Sequence, residues 1–386
     1  MVGLIAAAIT AQDAVYAREI IEKLCSESMH GRGYVRKGDK KAARYIASEY
    51  GQLNLLPMGR QYYQYLPLDV NTFPAAMSVT LNGRPLKAGY DYMIEPSSPG
   101  VKGTFTAKQV TGEQWLKGTG IIDGQDKGDQ PTNLAVAVEI TTKKLLFGVS
   151  NVVGKVPKIN INAAACPDSI INLQLNIENH FVGHYESQNV VGYIRGTACP
   201  DSFIVFTAHY DHLGMMGKKT WFPGANDNAS GVAMLLNLAA YFTAHPPRYS
   251  IAFIAFTGEE AGLLGSSYFV ENPLMNLSAI KFLINLDLVG NGPEGIMVVN
   301  GSVFARQLEL LNTINKEQQF VSQIKTRGEA CNSDHCVFYR QGVPCFFIYT
   351  LGGPANYHNP ADAPQNLTLT AFEGLTRLLI HFSEKL

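Results

Sequence analysis

At 386 residues the chain is long enough for one large domain or two ordinary ones. Its formal net charge is −1 and it contains no Lys/Arg run, which argues against nucleic acid as a partner. Charged residues make up 16%, below the roughly 25% typical of soluble domains, so a large buried core is expected; no apolar run reaches the ~18 residues needed to span a bilayer.

Residues 1–12 are apolar and end in small residues with a plausible cut after Ala11, which reads as a secretory-signal remnant lacking its basic start. A plain helix is the competing reading. Six cysteines are too few to define a disulfide framework. A secreted or periplasmic location is expected. Residues 13–26 carry Val15, Ile20, Ile21 and Leu24 at helical spacing, and 40–50 carry Ala42, Ala43, Ile46 and Ala47 on one face. For the stretch between them, 31–38, a plain surface connection is one of two equally weighted readings, a loop with a functional part being the other. From about 66 the texture changes. Asn82-Gly83 sits between alternating runs as a hairpin turn, and short β-type runs follow at 101–105, 134–140, 144–149, 159–164 and 170–177. An inserted all-β domain over 66–184 is therefore expected, with 13–65 and 185–386 forming a second, discontinuous domain.

In that second unit, 189–196 reads as an edge-type strand. Strands are predicted at 202–208, 251–256, 280–286, 296–299 and 344–349, and helices at 228–241, 263–270, 303–316, 333–340 and 369–385. Alternating strands and helices imply an α/β fold, a three-layer α/β/α sandwich with a mixed central sheet.

Several of these apolar runs end in residues that bear chemistry. His209-Tyr-Asp211-His212 follows one strand, Glu259-Glu260 another, Asn285-Leu-Asp287 a third, and Asn356-Tyr357-His358 the last. Open α/β sheets bind ligands at the carboxyl ends of their strands. Carboxylates gathered there repel one another unless cations sit among them, and two His with three or four Asp/Glu suit a pair of zinc-like ions. On an extended strand end, i and i+2 point the same way, so Asp211 is expected to take the second N–H of His209, while His212 faces away. Asp227, between Gly224 and a helix start, reads as a bridging ligand or an N-cap, a job for which Asn228 is better placed. Of adjacent Glu259 and Glu260, one can bind metal while the other serves water. A buried Asp287 without a partner would be costly. Ser333-Asp334-His335 cannot form a triad, because neighbours on a helix do not face each other. Gly-x-Ser-x-Gly and His-Glu-x-x-His are absent from the sequence.

These five elements, in this order, resemble the M28 peptidases, the co-catalytic di-zinc aminopeptidase family, best over 190–386. The resemblance implies two Zn2+ or other divalent ions: one held by His209, Asp287 and bridging Asp227, the other by Glu260, His358 and Asp227. It implies Glu259 as general base on a bridging water, with Asp211 and Asp362 standing behind the ligands. Tyr357, directly before the final His, becomes the donor to the oxyanion; the family's other place for that Tyr is held here by Ala330. It also implies a Cys331–Cys336 disulfide and likens the insert to a protease-associated domain. The expected function is a di-zinc exopeptidase acting on peptide substrates, an aminopeptidase. A carboxypeptidase or dipeptidase is the alternative, with Arg327 and Arg340 the nearby candidates for a substrate carboxylate. Retention of His209 argues against a one-zinc glutaminyl cyclase, and the full ligand set argues against a silent binding homologue. Side-chain preference, native metal and oligomeric state are not specified by these motifs.

Overall fold

A computed structural model describes residues 14–106, 120–123, 135–167 and 172–386, so the expected signal remnant at 1–12 lies outside the described residues. The principal elements are α1 (Ala14–Cys25), α2 (Gly38–Gln52), β1 (Tyr63–Thr72), β2 (His180–Ile194), β3 (Cys199–His209), α3 (Ser230–Ala244) and β4 (Tyr249–Phe256). They continue with α4 (Leu264–Glu271), β5 (Ile280–Leu286), β6 (Ile296–Val299), α5 (Ala305–Gln318), β7 (Ile324–Thr326), α6 (His335–Arg340), β8 (Cys345–Thr350) and α7 (Phe372–Lys385). Nine strands form one mixed sheet in the order β2-β4-β3-β5-β8-β6-β7, with β1 and the short Leu56–Pro57 strand against β2. The run β4-β3-β5-β8 is parallel.

Period-2 alternation assigns each strand residue to a face. In β3, Ile204, Phe206 and Ala208 join the core under α1, α2, α3, α5 and α7, while Val205 joins the opposite core with Phe269 of α4 and Phe338 of α6. Both faces are covered, which is why the central strands are unbroken apolar runs. The sandwich is the predicted three-layer one. The crossover from β3 to β4 runs through α3 on one face, and that from β4 to β5 through α4 on the other. β3 is thus the switch point of the sheet, where α/β folds open a crevice. Helix α3 approaches closely at its start: a Cβ on Gly231 would stand 2.6 Å from the Leu286 carbonyl oxygen and 2.3 Å from Asn228 Oδ1.

The stretch expected as an edge strand at 189–196 belongs instead to the 15-residue β2, covered by β1 from Tyr63↔Val190 to Thr72↔His180. Sequence periodicity did not show that β1 would pair along it. The expected boundaries at 66 and 184 both fall within this two-strand ribbon. Beyond it the described residues form two four-stranded sheets around a second core that includes Phe73, Val79, Tyr92, Ile159 and Leu175. Ser78–Leu81 and Arg84–Leu86 turn at Asn82-Gly83, both at positive φ, as the hairpin signal requires. The 144–149 run is not a strand. It crosses to the other part of the chain, and Leu213, Met216 and Phe222 complete the second core from there.

The 31–38 connection is not a surface loop. Gly31 and Gly33 lie against Gly214, leaving no room for a Cβ, and Arg32 is fully buried beneath the carboxyl edge of the sheet. Its guanidinium donates to five carbonyl oxygens: Tyr210 at 2.8 Å, Leu24 at 3.2 Å, Pro223 at 2.5 Å, Gly224 at 2.7 Å and Asp227 at 3.2 Å. Near the other side of the edge, Cys331 and Cys336 are joined by a disulfide, and inside that loop His335 Nε2–H donates to the Ala330 carbonyl at 2.8 Å.

Two outcomes follow for stability. Arg32→Met leaves buried carbonyls without donors and is expected to cost about 3–5 kcal/mol in urea unfolding; Arg32→Lys, with no planar fork, should recover less than half. A cost under ~1 kcal/mol would contradict the anchoring role. Burial pushes the His335 imidazole down to about 4. The unfolded chain takes up that proton near pH 6.5 and the folded one does not, so stability is lost as pH falls from about 6.5 through 4. Between pH 7 and pH 4 the parent should lose about 3 kcal/mol more than His335→Gln. Parallel loss in both would refute it.

Candidate functional site

The four parallel strands end on one edge of the sheet, and each end delivers a predicted group. His209 is the last residue of β3, Glu259 and Glu260 follow β4, Asp287 follows β5, and His358 lies in the loop after β8. Asp227 arrives from the irregular Ala225–Ala229 turn ahead of α3. His209 Nε2 stands 3.2 Å from Asp227 Oδ1 and 3.4 Å from Asp287 Oδ1. His358 Nε2 stands 3.3 Å from Asp227 Oδ2 and 3.0 Å from Glu260 Oε2. Ligands held 2.0–2.1 Å from a tetrahedral zinc are about 3.3 Å apart, so both groups have the spacing of atoms facing a common cation. His358 Nε2 and Asp287 Oδ1 are buried and make no hydrogen bond, although carboxylate or imidazole atoms stand within 3.4 Å. Atoms that aim at a shared point rather than at one another behave this way, and the N/O donor set suits zinc. Ligand-type atoms of Glu259, His209 and Asp287 also lie within 4.8 Å of one another.

Behind these residues stands a frame of hydrogen bonds. Asp362 accepts the Asn226 and Asp227 N–H groups at 2.8 and 3.0 Å, pinning the turn that carries Asp227. Arg32 holds the same turn from its carbonyl side. Gly224, at φ 60°, threads between them: a Cβ there would meet the Asp227 carbonyl oxygen at 2.3 Å and His212 Cδ2 at 2.4 Å. Asn228, one residue before the N-cap of α3, accepts the Gly231 N–H of its first turn through Oδ1 at 2.8 Å, which leaves Asp227 free of that task. Asp211 departs from expectation. His209 Nδ1 lies 3.2 Å from the Asp211 carbonyl oxygen but 3.7 Å from its carboxylate. That carboxylate accepts instead from Tyr34 Oη–H and from the Glu259 N–H, each at 3.2 Å.

The expectation for His212 is overturned. β3 ends at His209, so the two-residue alternation stops there, and the irregular chain beyond turns His212 into the cluster. His212 Nδ1 lies 2.7 Å from Glu260 Oε1. An ionised carboxylate only accepts, so this nitrogen carries the proton and leaves Glu260 Oε2 facing His358.

The electrostatics report a cluster in need of positive charge. Burial raises the Asp227 carboxyl, but His209, His358 and His212 outweigh it and hold it well below the usual range. Burial and Asp227 push Glu260 up, yet His358 and His212 bring it to about 2. Burial opposes protonation of His358, and Glu260 and Asp227 lift it to about 11. The His209 and His358 imidazoles act as stand-in cations, and bound metal would displace their protons. Glu259 behaves differently: burial raises it well above the carboxylate range, His209 opposes, and Asp334, Glu260 and Asp287 add to the rise.

Ser333, Asp334 and His335 point three ways, as their adjacency dictates. Ser333 Oγ–H donates to Asp287 Oδ2 at 3.2 Å, His335 binds the Ala330 carbonyl, and Asp334 is fully buried with its carboxyl raised to about 7 by burial. Tyr357 is 49% exposed and stacks on the His358 ring with centroids 3.8 Å apart. Partial burial and the fields of Asp227, Glu260, Asp287 and Glu259 raise its hydroxyl pKa. Arg327 and Arg340 are exposed. A cavity of about 720 Å³ lies between residues 76–92, 216–223 and 360–365 and contains none of the cluster in its walls. The groups that sequence reasoning missed are His212, Arg32 and the Phe147 carbonyl, which accepts from His358 Nδ1 at 2.9 Å. Only Arg32, set between two glycines, carried a local signal.

Comparison with known proteins follows the same boundaries. The sequence model of peptidase family M28 matches residues 189–383, a span that holds every candidate ligand and Glu259. Aminopeptidase YwaD of Bacillus subtilis (strain 168) is 32% identical over 197 residues, 47% of this chain and 41% of that protein. A probable zinc metalloprotease of Pyrenophora teres f. teres (strain 0-1) is 41% identical over 107 residues, 26% of this chain and 22% of its own length. The match therefore spans about two fifths or less of these curated relatives. Among solved structures, the zinc aminopeptidase BSAP from Bacillus subtilis shares the fold with a TM-score of 0.68 at 21% identity, over 96% of this chain and 94% of that one. A peptidase M28 precursor from Shewanella amazonensis SB2B gives 0.71 at 16% identity, over 98% and 94%. With a family match across half the chain that contains the whole cluster, on a sheet of the same architecture, this protein belongs to peptidase family M28.

Proposed function

We propose that the chain is a di-zinc exopeptidase, an aminopeptidase that releases N-terminal residues from peptide substrates. One observation carries this reading: Asp227 turns Oδ1 to His209 and Oδ2 to His358, so a single carboxylate is shared between two histidine-bearing sets. His209, Asp287 and Asp227 would hold one zinc ion; Glu260, His358 and Asp227 would hold the other. Bound there, two zinc ions supply Lewis acidity toward a peptide carbonyl and lower the pKa of water. Glu259 takes the proton of the attacking water and returns it to the leaving amine. A half-buried carboxylate with a raised proton affinity suits that exchange. Asp211 holds the Glu259 peptide in place through its N–H. Tyr357 offers its hydroxyl to the charge that develops on the substrate oxygen.

With two zinc ions bound the four carboxylates are balanced in charge, so the choice of an aminopeptidase over a carboxypeptidase rests on the arginines that a substrate carboxylate would need. Arg327 and Arg340 are exposed, and Arg32 is committed to carbonyl oxygens. The Bacillus relative, an aminopeptidase, and the Bacillus structural neighbour, a zinc aminopeptidase, support this choice. The Cys331–Cys336 disulfide supports export to an oxidising compartment.

Glu259→Gln should retain two zinc ions per chain by atomic absorption and lose about 10²–10⁴-fold in kcat. Zinc lost with turnover kept would reverse the roles of the two glutamates. Given matched peptides, the zinc-loaded enzyme should cleave those with a free amino terminus and leave N-acetylated ones intact. Cleavage indifferent to blocking would move the assignment to another peptidase class.

A further inference from the structure

We propose that the inserted segment clamps the second metal site, fixing His358 through the peptide group of Phe147. The proposal rests on the two-zinc reading and assigns the insert a part in it. His358 Nδ1–H donates to the Phe147 carbonyl at 2.9 Å, and the Phe147 N–H donates back to the His358 carbonyl at 3.2 Å. This reciprocal pair joins residues 211 positions apart. Lys144 Nζ adds a third tie, donating to the Ala355 carbonyl in the same loop.

Both partners need such support. His358 has φ 53°, the left-handed region that non-glycine residues seldom occupy and that persists only when its surroundings hold it. Residues 351–363 around it form only turns and irregular chain. The Phe147 peptide, by contrast, is fixed by its side chain, which is 5% exposed and stacks on Phe222 with centroids 4.8 Å apart. Leu145 on the same segment is also buried in the second core. The rigid partner is therefore the insert and the dependent one is the histidine loop.

The tie also selects a tautomer. With the proton on Nδ1 committed to a carbonyl, Nε2 is the nitrogen left facing Asp227 and Glu260, and it is the one that would give up its proton to a bound metal. His209 reaches the same state by a local route, its Nδ1 meeting the carbonyl of Asp211 two residues on. The two histidines are thus oriented independently, one from within the sheet edge and one from the insert. Disturbing the 144–149 crossing should weaken one zinc site and spare the other.

The test is zinc affinity, read by chelator competition and by cobalt(II) absorption, on the full chain and on Phe147→Ala. Two zinc ions are expected on the parent. On Phe147→Ala the first should bind as before and the second about 10–100-fold more weakly. Lys144→Ala, an exposed change that leaves the core intact, should shift the same site in the same direction by less. Lys102→Ala, on an exposed strand position of the insert, should shift neither. Affinity unchanged at both sites in Phe147→Ala and Lys144→Ala, or reduced equally at both, overturns the clamp. A parent that binds fewer than two zinc ions overturns the two-zinc reading itself.

Discussion

Repulsion among buried carboxylates is the constraint to which the rest of this molecule answers. Asp227, Glu259, Glu260 and Asp287 meet at one sheet edge, with Asp211 and Asp362 buried close behind. Taking one such charge out of water costs several kcal/mol, and only strong pairing offsets that. His209, His358 and His212 supply part of the balance, which is why their neighbours' proton affinities are pulled so far apart. Divalent cations would supply the remainder. A set that costs this much to assemble is retained where its charge is used.

Holding the set requires a rigid frame, and the structure builds it from backbone groups rather than from further charges. Asp362 and Arg32 grip opposite sides of the turn that carries Asp227, the first through N–H groups and the second through carbonyls. Gly224 lets the chain pass between Arg32 and His212, where a Cβ would stand 2.6 Å from Arg32 Nη2 and 2.4 Å from His212 Cδ2. On the facing strands Ser333 steadies Asp287, and Asp211 steadies the peptide of Glu259. Each tie spans elements distant in sequence, so the cluster can be geometrically exact only when the whole sandwich is formed.

The inserted segment belongs to the same scheme. It has its own apolar core, but Leu213, Met216 and Phe222 enter that core from the chain just after His209 and just before Asp227. The two parts therefore share a boundary at the loops that carry the cluster. Phe147 and Lys144 cross that boundary to the loop of His358.

The sequence by itself determined the sheet, its layering and the residues at its carboxyl edge. Apolar runs of β-branched residues ending in His209, Glu259 and Asp287 state their own positions, because a strand's face and end are local properties. Asn82-Gly83 and Asn228 were legible for the same reason, each satisfying a backbone requirement within a few residues. What only the tertiary structure decided are contacts between distant segments: Arg32 with Tyr210 and Gly224, β1 along β2, Phe147 with His358. His212 marks the limit between the two. It lies three residues past His209, yet its direction was lost where the strand ended. From there the chain's path follows from packing against Arg32 and Gly224, and no local period encodes that.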